Sequence, residues 1–292
     1  MMATQLLDGK IVAEKFLQEL RPRLDRPGRP PCVAFLRVGE EASSQFYVAR
    51  KRAVAESLGI RSLLAHLDRD AAPEIILSQL ERWNGDDSID GILVQAPLPN
   101  RQLQELAFAA VDSAKDVDGF HPHNFGLLAL DRSDGFVPCT ALGILHLLRA
   151  YGVELEGRHV AIVGRSTIVG RPLALLLQSR SVNATVSVCH SKSGDLARSL
   201  CRSADVVVVA AGSAHLVGPS WIRKGAIVVD VGQTAVTGPD GCRRPVGDVD
   251  FAAVAPLCQA ITPVPGGVGP MTVAMLMGNV VRAWELARWN GN

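Results

Sequence analysis

His159-Val160-Ala161-Ile162-Val163, followed directly by Gly164-Arg165-Ser166-Thr167-Ile168-Val169-Gly170-Arg171-Pro172, reads as a strand, a glycine turn and the start of a helix. Glycine in such a turn lets backbone approach a ligand closely, and the free N–H groups at a helix start suit a phosphate. Gly164 and Gly170 do not follow the usual G-x-G-x-x-G pattern, so on this stretch alone a tight turn without a ligand stays open. Working outward, the same rhythm recurs on both sides. Upstream, β-branched runs at 33–38, 63–67 and 89–94 alternate with helical patterns at 42–58 and 73–83, which predicts a parallel sheet with right-handed crossovers. Downstream, strands at 185–188, 206–210 and 227–231 follow the glycine turn and predict a Rossmann-type sheet.

The interval 115–140 is rich in Gly, Pro and polar residues and marks a domain junction. The expected class is therefore α/β, with two α/β lobes and a cleft between them. The first lobe is expected at 1–140, completed by a C-terminal helix at 271–292, and the second at 141–270. Ahead of that last helix, the prolines and glycines of 263–270 predict a rigid loop without regular structure.

With 292 residues, 48% of them hydrophobic, the chain can bury two cores. A formal net charge of +1 gives no field to attract nucleic acid or a membrane surface, and the basic stretch from Arg21 to Pro30 reads as a solvated loop. No apolar run reaches the roughly 18 residues a membrane helix needs. Six scattered cysteines lack C-x-x-C or zinc-ligand spacing, so they read as reduced core residues, with no metal expected and a cytoplasmic setting.

Tyr47 and Lys51 stand four apart on one helix face. A lysine stem lying over a ring on the surface accounts for such a pair as well. What favours chemistry is position, since the helix begins beyond the carboxyl end of a strand at Val38-Gly39. Gln95 ends the strand 89–94 and points a polar amide at the same edge, though a strand-end glutamine also serves as a backbone cap. Lys115-Asp116-Val117-Asp118-Gly119 is an acidic loop with too few oxygens in register for an EF-hand. In the second lobe, His190-Ser191-Lys192 stands where an NAD enzyme of this fold carries an acidic residue on the ribose hydroxyls. Together with the Arg165 guanidinium, that set predicts NADP over NAD.

These segments, with Gly91 to Pro99, Pro138-Cys139-Thr140, Asp230-Val231-Gly232, Gly247-Asp248-Val249 and Thr262 to Thr272, together resemble the bifunctional methylenetetrahydrofolate dehydrogenase/cyclohydrolase family over almost the whole chain. The resemblance implies oxidation of 5,10-methylenetetrahydrofolate by NADP+ to the methenyl cation, then hydrolysis to 10-formyltetrahydrofolate, in a homodimer joined through the second lobe. It implies Lys51 as the catalytic lysine, Gln95 as its partner, Tyr47 as a ring packing on the folate and Asp118 as the acceptor for the pterin edge. Pro97, Pro265, Gly266 and Gly267 would complete the substrate site, and Gly164, Arg165, Ser166, Gly170, Ser191, Gln233 and Thr272 the cofactor site. Two positions depart from the family pattern: Gln233-Thr234 replaces an aliphatic residue and asparagine, and Ala141 replaces a common proline. A monofunctional dehydrogenase of the same fold would lack the lysine-centred site, and a non-catalytic folate- or nucleotide-binding protein would not need Tyr47, Lys51, Gln95 and Asp118.

Overall fold

A computed structural model describes residues 4–237 and 243–289 of the chain. Its first elements are β1 (Gln5–Leu6), α1 (Gly9–Leu24), β2 (Cys32–Val38), α2 (Ala42–Ser57), β3 (Arg61–Leu67), α3 (Pro73–Asn84), β4 (Gly91–Val94), α4 (Arg101–Ala110) and α5 (Pro122–Ala129). There follow α6 (Cys139–Ala150), β5 (His159–Val163), α7 (Gly170–Leu177), β6 (Thr185–Cys189), α8 (Asp195–Ser203), β7 (Val206–Val209) and β8 (Ile227–Asp230). The chain closes with β9 (Thr234–Thr237), β10 (Arg243–Val246), α9 (Phe251–Val254), β11 (Ala260–Ile261) and α10 (Val268–Trp289).

Two compact units emerge. Of the described residues, one unit takes Lys15–Cys139 and those from Val273 onward, and the other takes those up to Glu14 and those within Thr140–Thr272. The N-terminal residues had been expected in the first lobe. They sit in the other unit because β1 pairs in parallel with β11, Gln5 opposite Ala260.

In the first of these units, three parallel strands run in the order β3-β2-β4. Strand β2 is buried along its whole length, and Cys32, Ala34, Leu36 and Val38 face a core completed by Ile76, Leu80, Trp83 and Leu103 of α3 and α4. Since β2 leads to β3 on one side and β4 lies on the other, the carboxyl ends of β2 and β4 form a topological switch point, the usual place for a ligand crevice in an open parallel sheet. The Arg21 to Pro30 stretch is the exposed loop expected only in part: residues 25–30 are loop and mostly exposed, but Arg21 and Arg23 lie in the last turn of α1, and Arg29 donates to both oxygens of the buried Asp90 at 2.6 and 2.8 Å. A desolvated carboxylate needs a bidentate cation, and this one also takes the Cys32 N–H.

The other unit holds a six-stranded sheet in the order β1-β11-β8-β7-β5-β6, with all pairs parallel. Its switch point lies between β5 and β7, where the chain leaves Val163 and Val209. Among the cysteines, Cys32, Cys139, Cys189, Cys201 and Cys258 are buried thiols, and Cys242 lies outside the described residues. The expected irregular stretch before the last helix is shorter than read: α10 begins at Val268 and takes Gly269 and Pro270 into its first turn, where a proline's missing N–H costs nothing.

At the end of β8, the buried Asp230 accepts the N–H groups of Gly232 (2.9 Å), Asp248 (3.0 Å) and Val249 (3.0 Å). A Cβ on Gly247 would lie 1.8 Å from Asp230 Oδ2. Gly247→Ala is therefore expected to lower stability by about 2–3 kcal/mol, read as a drop in the denaturant midpoint. Gly218→Ala, where a Cβ meets nothing within 4 Å, should leave the midpoint unchanged.

Candidate active site

The glycine turn closes on itself. Gly164 has φ +128°, and a Cβ there would stand 2.2 Å from the Ala210 carbonyl oxygen beyond β7. A Cβ on Gly170 would stand 2.1 Å from the carbonyl oxygen of Gly164. The six-residue spacing is thus a packing requirement, with each glycine removing a side chain where two backbones meet. Ser166 Oγ accepts the Val169 N–H at 3.1 Å and its carbonyl accepts the Arg171 N–H at 3.0 Å, shaping the entry to α7. Arg165 and Ser166 are exposed here, and beyond the neighbouring strand β6 so are Ser191 and Lys192. The donor set is cations, hydroxyls and helix-start N–H groups with no carboxylate at the strand end, which fits a nucleotide bearing an extra phosphate.

Gln233 and Thr272 belong to the same unit. The Gln233 amide lies against Gly269 in the first turn of α10, where a Cβ would come within 2.8 Å of its Nε2. Thr272 Oγ1 is 3.2 Å from Thr140 Oγ1. The loop ahead of α10 is held by the Gly9 N–H on the Gly266 carbonyl (2.9 Å) and the Gly267 N–H on the Pro263 carbonyl (2.8 Å), leaving Pro265 exposed. The antiparallel pair β9 and β10, next to Gln233, had not been foreseen. Four-residue strands with mixed polarity carry too little periodicity to be seen.

In the three-stranded unit, Lys51 and Gln95 meet. Lys51 is buried at 7% exposure, and its Nζ donates to Gln95 Oε1 at 3.0 Å. Gln95 is fixed in turn, its N–H on the Leu36 carbonyl (2.8 Å) and its Nε2 donating to the Ala96 carbonyl (2.7 Å). It therefore stands at the switch point between β2 and β4. Tyr47, one helical turn before Lys51, is half-buried, and burial pushes its phenol above the ordinary value, with Arg50 opposing. Pro97 follows on the surface.

The acidic loop assigns different work to its two aspartates. Asp116 is buried and accepts from the N–H groups of Gly119 (3.1 Å) and His121 (2.7 Å) and from Asn124 Nδ2 (2.9 Å), so it shapes the loop. Asp118, among the described residues, gathers no backbone N–H group and has the Cys139 thiol as its side-chain hydrogen-bond partner. Enclosure by protein raises its carboxyl above the ordinary carboxylate value, the Lys51 charge pulls it back, and Asp116 adds to the rise. Lys51 and Asp118 thus share one electrostatic environment. Cys139 shares it too: burial, with the nearby Asp118 charge, pushes its thiol well up, and its Sγ donates to the Val117 carbonyl at 3.3 Å. Asn279 of α10 donates to that carbonyl at 2.9 Å. Cys139 and Asn279 have no site role in the sequence reading; a lone polar residue in an apolar helix, such as Asn279, is the signal that marks such a brace.

A glycine turn at the switch point of one unit and a buried lysine-amide pair at the switch point of the other are the features of a nucleotide-dependent α/β enzyme. The chain belongs to the tetrahydrofolate dehydrogenase/cyclohydrolase family: residues 7–118 match its catalytic domain and residues 138–288 its NAD(P)-binding domain. A relative from Sorangium cellulosum (strain So ce56), named bifunctional protein FolD, is 46% identical over 97% of this chain and 98% of its own. The crystal structure of the FolD methylenetetrahydrofolate dehydrogenase/cyclohydrolase from Campylobacter jejuni has a TM-score of 0.89 at 45% identity, covering 96% of this chain and 98% of that one. The Trypanosoma brucei enzyme, solved with NADP and an inhibitor, gives 0.91 at 36% identity, with 98% of both chains covered.

Asp118 supplies a test. Its raised native value means the folded protein binds that proton more tightly than the unfolded chain does. Ionising Asp118 therefore costs stability once pH exceeds its native value, and nothing once pH falls below the ordinary carboxylate value, where both states are protonated. Asp118→Asn is expected to raise the thermal midpoint at pH 7 by a few degrees, the gain fading as pH drops towards that value. An unchanged midpoint at pH 7 would contradict the enclosure of the carboxyl.

Proposed function

We infer that the protein oxidises 5,10-methylenetetrahydrofolate to the 5,10-methenyl cation with NADP+ and hydrolyses that cation to 10-formyltetrahydrofolate, as a cytoplasmic homodimer. The observation that carries the second activity is the buried Lys51 Nζ at 3.0 Å from Gln95 Oε1, in the same electrostatic environment as Asp118. A monofunctional dehydrogenase would have no use for that arrangement.

Asp118 serves orientation. A carboxylate can accept the amino group and the adjacent ring N–H of a pterin together, and that bidentate contact fixes the ring's register. Tyr47 offers a flat apolar face and Pro97 adds to it, and the family resemblance adds Pro265, Gly266 and Gly267 as substrate contacts. In the hydrolysis, water adds to the amidinium carbon, and Lys51 Nζ takes the proton that the water loses. As the ring C–N bond opens, the same Nζ returns a proton to the departing nitrogen, leaving the formyl group and one net proton released. Gln95 accepts from Nζ and holds it on the reaction line. NADP+ supplies the hydride acceptor for the oxidation when bound. Gly164, Ser166 and Gly170 would cradle its phosphates, Arg165 and Ser191 its 2′-phosphate, and Gln233 and Thr272 its nicotinamide side. That oxidation asks alignment of this chain and needs no dedicated acid or base.

Lys51→Met is expected to lower methenyl hydrolysis by at least about 100-fold, followed as decay of the methenyl chromophore; unchanged decay sinks the assignment. Arg165→Ala should weaken NADP+ by roughly tenfold or more while changing NAD+ little, measured as KM for each cofactor. Equal losses for the two would remove the 2′-phosphate role.

A further inference from the structure

Arg37 is the one charged residue in β2, whose run Cys-Val-Ala-Phe-Leu-Arg-Val is otherwise apolar and wholly buried. Strand alternation sends Leu36 and Val38 into the core under α3 and α4, so Arg37 lies on the opposite face, paired in register with His66 of β3. It is only 9% exposed, and its Nε is buried with no hydrogen-bond partner among the described residues. Its Nη2 comes no nearer than 3.9 Å to Glu40 Oε2. A guanidinium so far withdrawn from water is costly to keep, and its remaining N–H donors on the Nη atoms are the ones left to meet a ligand.

Arg37 lines a pocket of about 190 Å³ together with Gln45, Val48, Ala49 and Arg52 of α2 and Leu64 of β3. The volume is far more than one water requires. Arg52 spends Nε on Ser62 Oγ at 3.1 Å, and its Nη2 stands 4.0 Å from Glu56. The carboxylate of Glu40 is 71% exposed and is engaged by His66 Nε2 at 3.0 Å and by Gln45 Nε2. Two guanidinium groups therefore line one cavity whose remaining walls are Gln45 and the aliphatic Val48, Ala49 and Leu64, and the acids nearby, Glu40 and Glu56, are exposed. Forked N–H donors match the oxygens of a phosphate better than they match water.

We propose that this pocket, between α2 and the β2–β3 edge, is a binding site for a small oxyanion, a phosphate or phosphomonoester group held by Arg37 and Arg52. It is separate from the cofactor's phosphate turn, which belongs to the other unit.

The test uses the whole protein saturated with NADP+, so that the cofactor-side cations are already engaged. Its thermal midpoint is measured in inorganic phosphate and in chloride at matched pH and ionic strength. About 10 mM phosphate is expected to raise the midpoint by about 2 °C over chloride, and the rise should vanish in Arg37→Gln and in Arg52→Gln. Each variant is compared with itself in chloride, so a loss of stability from removing Arg37 does not disturb the reading. Arg52, whose side chain is 35% exposed, gives a second variant at a less buried position. A larger rise with phenyl phosphate would assign a phosphomonoester resting on Val48, Ala49 and Leu64; a smaller one would assign the free ion. No phosphate-specific rise, or equal rises in the parent and both variants, overturns the proposal.

Discussion

Buried carboxylates that collect backbone N–H groups hold both units in working shape. Burial alone would drive Asp116 and Asp230 towards their neutral forms, and in each the bonded N–H groups oppose that drift. The gain is geometric. A carboxylate with up to four acceptor positions can gather N–H groups from successive turns that no regular ladder reaches. Asp116 thereby folds the loop from which Asp118 projects, and Asp230 draws Gly232 and the Asp248–Val249 backbone against the end of β8. Asp248 extends the device by accepting the N–H groups of Ala211 and Gly212 at 2.7 and 2.8 Å, just past the end of β7.

With the frame carried by Asp116, its neighbour two residues on takes no part in gathering backbone N–H groups. Asp118 is enclosed, with the Cys139 thiol as a side-chain hydrogen-bond partner and the Lys51 charge nearby, and its ionised form costs stability. The same division runs through the lysine site. Gln95 is tied by its backbone and its Nε2, so its Oε1 is a fixed acceptor that orients Lys51 without competing for its proton.

The sequence made the alternation of strands and helices legible because β2, β7 and β8 are short apolar runs bounded by turn residues, and because the glycine turn after β5 fixes the direction of the sheet. It did not reveal β1 and β11, each two residues long and meaningful only through pairing with each other across almost the whole chain. Helix α1 was hidden by Pro22 and its basic end, and α5 by the glycines and polar residues around it. At the site, the four-residue spacing made Tyr47 and Lys51 visible together, and the strand end exposed Gln95. Which aspartate of Lys115-Asp116-Val117-Asp118-Gly119 shapes the loop could not be read, since both have the same chemistry and only three-dimensional placement gives one of them the N–H groups. Resemblance to the family named Asp118; the partners of Asp116, Asn124 and His121, needed coordinates.

The division of the chain has a further consequence for synthesis. One unit takes its residues from Lys15–Cys139 and from Val273 onward, and the other takes the opening segment and Thr140–Thr272. A polypeptide leaving the ribosome from its N-terminus therefore completes neither unit early. Strand β8 keeps one edge open until β11 has been made, and β1 waits beside no partner for most of translation. The core that Trp284 enters stays unfilled until the final helix is released, its indole N–H then meeting the Arg29 carbonyl at 3.1 Å. Both units thus depend on the closing segment of the chain, so a message truncated before α10 yields two unfinished folds, where a chain of tandem domains would leave one finished.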